Sequence, residues 1–132
     1  MTYTPRYFKW HEFMPSAEYE RLWLWLIDDR ILRTMDAIRE HYGKPVTINN
    51  WFWGGQYKER GLRLMTTTTG AKYSQHKFGR ACDFHIVGIP SETIRNDIRK
   101  GLFPLITCIE KDVNWVHIDV RNVNPLYEVS AK

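Results

Sequence analysis

The sequence predicts an α+β fold in which a small antiparallel sheet carries N-terminal helices on one face. Three observations predict it. Helical periodicity is concentrated in the first third of the chain, and β-branched runs follow at residues 46–50, 82–87, 105–110 and 113–120. A single helical segment, opening at Pro90-Ser91, interrupts those runs. Helices and strands that segregate along a chain, rather than alternate, build a sheet covered by helices on one side.

Each element has a local reason. A first helix is expected near Ser16, where Ala17, Glu18, Glu20 and Arg21 flank Leu22, Leu24 and Leu26. Asp28 and Asp29 read as the cap of a second helix whose apolar face is Ile31, Leu32, Met35, Ile38 and Tyr42, spaced at three and four residues. His41 falls in its last turn, and Gly43 followed by Pro45 stops it. Residues 46–50 begin a strand, and residues 51–70, punctuated by Gly54-Gly55 and Gly61, read as a long excursion over a cleft. The four threonines at 66–69 mark an exposed loop or a short strand end. The helix after Pro90 runs to about Gly101 with Ile94, Ile98 and Leu102 on one face. The last two runs pair through a polar turn at Lys111-Asp112.

Composition narrows the class. With 132 residues the chain suits one domain spanning 1–132, and 43% hydrophobic against 26% charged residues excludes a disordered chain. The longest apolar run, residues 22–27, is too short to span a bilayer. Residues 1–14 mix Arg6, Lys9 and Glu12 with aromatics, so no secretory signal is expected. Cys82 and Cys108 lack metal or redox spacing; two free, buried thiols are the simplest reading, and one disulfide is the alternative. A net charge of +4 favours an anionic partner, yet the basic residues are scattered, so no specific nucleic-acid partner is expected.

Polar groups that a core would not choose concentrate in residues 74–85 and 115–121, with Ile109-Glu110 a third such segment. Side chains alternate across a strand. Val116, Ile118 and Val120 therefore share an aliphatic face, while Trp115, His117 and Asp119 share the other. By the same alternation Asp83 and His85 point away from Phe84 and Ile86. If the two strands are neighbours, Asp83 and His117 converge, and His76 reaches them from a loop that turns sharply at Gly79. Two imidazoles and a carboxylate suit zinc, which takes three protein ligands at about 2.0–2.2 Å and keeps a fourth position for water. A hydrolase built on that set needs a proton acceptor and a cation for the developing oxyanion. Glu110 is a candidate acceptor; Arg60, Arg63 and Arg80 are candidate cations. Ser74 is expected to support the site by a hydrogen bond, and Trp115 to line a groove. His85 is an outer donor to the site, a groove residue, or an exposed strand histidine. Trp51, Phe52 and Trp53 are core or groove residues, and His11 and His41 lack any partner motif.

These residues carry a resemblance. Ser74-Gln75-His76 with Gly79-Arg80-Ala81 and Asp83 resembles the first zinc motif of the M15 peptidases, zinc D-alanyl-D-alanine carboxypeptidases and phage endolysins that cut peptidoglycan stem peptides. Trp115-Val116-His117-Ile118-Asp119-Val120-Arg121 is similar to the second, whose His is the third ligand. Gly43-Lys44-Pro45 and the strand after it resemble the segment before a substrate-contacting Arg, and the likeness spans roughly residues 28–121. It implies Zn2+ held by His76, Asp83 and His117, and a peptidoglycan peptide as substrate. It also implies a chain that stays in the cytoplasm until lysis or rides in a phage particle; we expect a monomer without a membrane span. Two departures matter. Asn114 stands where many relatives carry an acidic base, so that role falls to Glu110 or Asp119. Asn49-Asn50-Trp51-Phe52-Trp53 replaces the usual Ser-Gly-Tyr-Arg, so the substrate Arg must come from Arg60 or Arg63. A catalytically silent virion or cell-wall-binding module that keeps the metal fold is the second reading.

Overall fold

The computed structural model describes residues 3–130; Met1, Thr2 and the last two residues of the expected 1–132 domain lie outside the described residues. The first expected helix is not continuous. The chain instead makes one helical turn α1 (Trp10–Phe13), a 3₁₀ turn at Ala17–Tyr19 and another single turn α2 (Trp23–Leu26). Glu12 starts α1 by accepting from the Lys9 amide at 2.8 Å. Ser16 sends its hydroxyl to Glu18 and caps nothing, and no residue of α2 is buried. Leucines spaced by two make no continuous stripe for a core to cover, so nothing sustains a longer helix there.

Helix α3 (Asp29–Tyr42) forms where its caps predict. The Asp28 carboxylate accepts from the Arg30 amide at 2.9 Å, and Gly43 closes the helix in the left-handed region at φ 64°. Ile31, Leu32, Met35 and Ile38 are fully buried. Strand β1 (Val46–Thr47) is shorter than the β-branched run. The excursion that follows holds one 3₁₀ turn at Trp51–Trp53 and another at Gln75–Phe78 before β2 (Ala81–Ile86). Helix α4 (Ser91–Arg99), β3 (Cys108–Lys111), β4 (Val116–Asp119) and β5 (Tyr127–Ser130) complete the fold.

The sheet order is β1-β2-β4-β3-β5, and the sheet is mixed rather than wholly antiparallel. The unexpected member is β5, which runs parallel to β3. After β4 the chain turns back past the outer edge of β3, so β4 itself is the return leg that a parallel pair requires. Strand β4 is also shorter than the run at 113–120. Arg95, from α4, takes the carbonyls of Trp115 at 2.8 Å and Val113 at 3.0 Å, which removes those residues from the ladder.

The two faces of the sheet differ in kind. Phe84, Ile86, Val116 and Ile118 join the buried faces of α3 and α4 in one core with Phe13 and Met14. Asp83, His117 and Asp119 lie on the other face. Cys82 belongs to the core and Cys108 to the opposite face, with β4 between their strands; both thiols are free, so the disulfide alternative fails. Among the described residues, no helix is long and apolar enough to cross a membrane.

Candidate metal centre

Register decides which side chains meet. Asp83 on β2 pairs directly with His117 on β4. Strand β3 meets β4 with Cys108 opposite Asp119 and Ile109 opposite Ile118, so the next step brings Glu110 alongside His117. The Glu110 Oε2 to His117 Nδ1 distance is 3.9 Å. Glu110 in turn pairs with Val129 on β5. One row across four strands thus reads Asp83, His117, Glu110, Val129.

His76 enters from the 3₁₀ turn before β2. The Ser74 hydroxyl accepts from the His76 amide at 3.2 Å, which starts the turn, and Gly79 ends it at φ 69°. A Cβ on Gly79 would overlap the Leu26 carbonyl oxygen, so both the backbone angle and the packing demand glycine. Gly79→Ala is expected to destabilise the fold by about 2–4 kcal/mol and to weaken metal binding through His76; denaturant midpoints and metal titration measure the two effects. An unchanged midpoint would mean that the turn does not depend on this residue.

His76, Asp83 and His117 each offer a ligand atom within 4.8 Å of the others, and all three are buried. His76 Nε2 lies 3.2 Å and His117 Nδ1 2.7 Å from the same Asp83 oxygen, Oδ1. The far nitrogens are committed elsewhere: His76 Nδ1 to the Gly61 carbonyl at 2.8 Å, His117 Nε2 to Asp119 Oδ2 at 2.8 Å. A carbonyl and a carboxylate can only accept, so those far nitrogens must donate. In the deprotonated form that a metal requires, each ring then aims a bare lone pair toward the Asp83 carboxylate. Three such acceptors converging on one point are bridged by a proton or by a cation, and two imidazole nitrogens with one carboxylate oxygen are a divalent-metal donor set. The residues therefore fit a metal ion.

Outer contacts fix each of the three. Asp119 is wholly buried and is held by Arg121, whose Nε and Nη2 donate at 2.8 and 2.6 Å. Asp83 Oδ2 receives Arg63 Nη2 at 3.3 Å. Such partners orient metal ligands and fix their tautomers.

Charge follows the same map. Burial alone would raise the Asp83 carboxyl, but the His76 and His117 rings hold it well below the usual carboxylate range. Burial alone would lower His117, but Asp119 and Asp83 push it up to about 9. Burial also opposes ionisation of Asp119, which His117 and Arg121 nonetheless bring down to about 2. In the metal-free protein at neutral pH, His117 therefore holds a proton that a metal must displace. Apparent metal affinity is expected to rise with pH until about 9, and one proton should be released per ion bound near neutrality. Calorimetry in buffers of different ionisation enthalpy counts that proton; a count of zero would show His117 already neutral.

The centre sits in an open cleft of about 680 Å³, also lined by Arg63, Ser74, Glu110, Trp115 and Arg121. Of the two carboxylates expected as base, Glu110 lines this cleft. Asp119 does not; it binds the opposite ring nitrogen of His117 and is sealed by Arg121. Arg60, Arg80 and His85 are also not among the lining residues. Arg60 donates to Thr47 O at 3.3 Å, meets His85 Nδ1 at 2.8 Å and lies 3.8 Å over the Tyr57 ring. Arg80 lies over Phe78 at 5.6 Å. Phe52 stacks on His11, and neither Trp51, Phe52 nor Trp53 lines the cleft. Sequence reasoning missed the Gly61 carbonyl, which no side-chain pattern announces, and the wall residues Thr69 to Ala71. It also missed Val129 and Ser130, since a four-residue edge strand leaves little pattern.

No curated protein and no solved structure matches the chain. A family-level comparison matches residues 13–119 to Peptidase M15. That stretch runs from the end of α1 to Asp119 and includes His76, Asp83 and His117 together with the strands that align the last two. The chain belongs to the peptidase M15 family.

Proposed function

We propose that this chain is a zinc-dependent peptidase that hydrolyses an amide bond in peptidoglycan stem peptides, as a carboxypeptidase or an endopeptidase. The observation that carries the reading is the convergence of three acceptor atoms at the floor of an open cleft with the Glu110 carboxylate beside them. His76 Nε2, His117 Nδ1 and an Asp83 oxygen are the proposed ligands, and this nitrogen-rich set with room for a fourth position suits zinc. When bound, such an ion supplies Lewis acidity to the scissile carbonyl and acidifies water.

The chain's own residues supply the rest. Glu110 accepts the proton of the attacking water and returns it to the leaving amine. Arg63, which faces the cleft while anchored on Asp83, is the cation for the oxyanion and for a substrate carboxylate; Arg60, engaged with Thr47 and His85, is not assigned that role. Asp119 and Ser74 act through the histidines, holding one ring and one backbone amide. Trp115 forms a wall. A net charge of +4 and two guanidinium groups in the cleft suit acidic stem peptides.

One observation favours a second reading, a cell-wall-binding module without hydrolysis. Asn114 occupies the place of the acidic residue many relatives carry, is exposed, and only offers its carbonyl to Ser91 at 3.0 Å. Chelator-sensitive release of new amino groups from purified peptidoglycan separates the two. A binder releases none, and the fragment masses name the bond that is cut.

A further inference from the structure

Residues 59–63 run along the centre and hold it through their backbone. Arg60 O accepts from the Asp83 amide at 2.8 Å, Gly61 O faces His76 Nδ1 at 2.8 Å, and the Arg63 amide donates to His76 O at 3.1 Å. At the head of this segment stands Glu59, which has no part in the reading given above. Its carbonyl accepts from Arg63 Nε at 2.7 Å. Its carboxylate accepts from the Thr67 hydroxyl at 2.6 Å and from the Thr69 hydroxyl at 2.8 Å, one on each oxygen.

Those two bonds fasten a loop that has little else to hold it. Thr66, Thr68, Thr69 and Gly70 are exposed, and Leu64 and Met65 before them are exposed as well. Among the described residues, the side-chain hydrogen bonds that tie residues 66–70 to the rest of the chain all run to Glu59. Thr67 Oγ1 also accepts from the Thr69 amide at 3.2 Å, so the hydroxyl that Glu59 orients shapes the loop backbone in turn. The loop then reaches Gly70 at φ 74°, where a Cβ would stand 2.6 Å from Arg63 Nη1. Thr69, Gly70, Ala71 and Arg63 all line the cleft. Hydrogen bonds to an ionised acceptor are about twice as strong as neutral ones, and two on one carboxylate fix direction as well as distance.

We propose that Glu59 is a positioning residue whose side chain clamps the threonine loop beside Arg63, and so sets the wall of the cleft against which the substrate binds. The assignment rests on the peptidase reading of the cleft. Glu59 touches no reacting atom. Its side chain acts through Thr67 and Thr69, whose placement beside Arg63 governs how a bound peptide is oriented.

The test uses the zinc-loaded full chain, a soluble stem peptide as substrate, and amide hydrogen exchange over residues 66–71. Glu59→Ala is expected to raise KM about tenfold, to leave kcat within about twofold, and to accelerate exchange in the loop with one equivalent of zinc retained. Glu59→Gln, whose amide group still bonds both hydroxyls, should restore most of the loss. The Thr67→Val, Thr69→Val pair should reproduce the KM effect, and adding Glu59→Ala to it should change little further, because the partners act as one unit. Unchanged KM or unchanged loop exchange overturns the clamp, as does a parallel loss of zinc and kcat that Glu59→Gln does not restore. A wild type that binds zinc but releases no amino groups overturns the peptidase reading instead. The dissociation constant for the same peptide then decides: about tenfold weakening in Glu59→Ala supports the clamp, and equal affinity, or no binding by the wild type, overturns it.

Discussion

Asp83→Ala is expected to leave the protein without a stoichiometric metal ion and without peptidase activity. Asp83 is the one carboxylate of the triad, and its Oδ1 is the point on which both histidines converge. Removing it leaves two imidazole nitrogens, too few to hold a divalent ion in competition with water. The change also strands charge. The Arg63 side chain is only 11% exposed and loses its carboxylate partner, and His117 loses one of three. Breaking a buried ion pair from one side costs about 3–5 kcal/mol, so part of the variant's loss is stability. Asp83→Asn separates the effects, since it keeps the shape and removes the charge. Elemental analysis of the purified proteins, with circular dichroism to verify folding, reads the outcome. A full equivalent of metal in folded Asp83→Asn and Asp83→Ala would remove this residue from the ligand set.

Glu110→Gln is expected to keep the metal and lower kcat by about 10²–10⁴-fold, the usual contribution of a general base. The row across the sheet explains why the two outcomes separate. Glu110 lies on β3, next to β4, its oxygen 3.9 Å from His117 Nδ1, and the three proposed ligands are also held by contacts that do not involve it. The glutamine is isosteric, so KM should change little. Turnover near the wild-type level would hand proton transfer to another group, and loss of metal would make Glu110 a ligand.

Residues whose neighbours explain them were the legible ones. Helix α3 was readable because Asp28, Gly43 and four buried aliphatics act within one element. Asp83 and His117 were readable because strand alternation is rigid once two strands are neighbours. Reading failed where a role depends on a distant backbone group. Nothing in the spacing of Gly61 says that its carbonyl will orient His76. Arg60 and Arg63 look equivalent in sequence, yet one is spent on Thr47 and His85 and the other reaches Asp83. The leucines before α3 promised one continuous helix, but Leu22 is exposed and only Leu24 and Leu26 rest on the core, so a single turn forms. Strand β5 is four exposed or half-buried residues placed by the edge of β3 and by the Glu128–Arg99 ion pair, neither of which shows in its own short pattern.

The Arg95 guanidinium has a consequence for anyone redesigning this domain. It is rooted in a helix on the core side, yet it grips the main chain at Val113 and Trp115, and Trp115 is a wall of the cleft. The hydrophobic layer and the cleft are thus mechanically joined through α4, by Arg95 and by the Ser91 hydroxyl that donates to the Asn114 carbonyl. Repacking α4 to gain thermal robustness is expected to shift the indole that walls the cleft, so neither side of the molecule can be optimised in isolation.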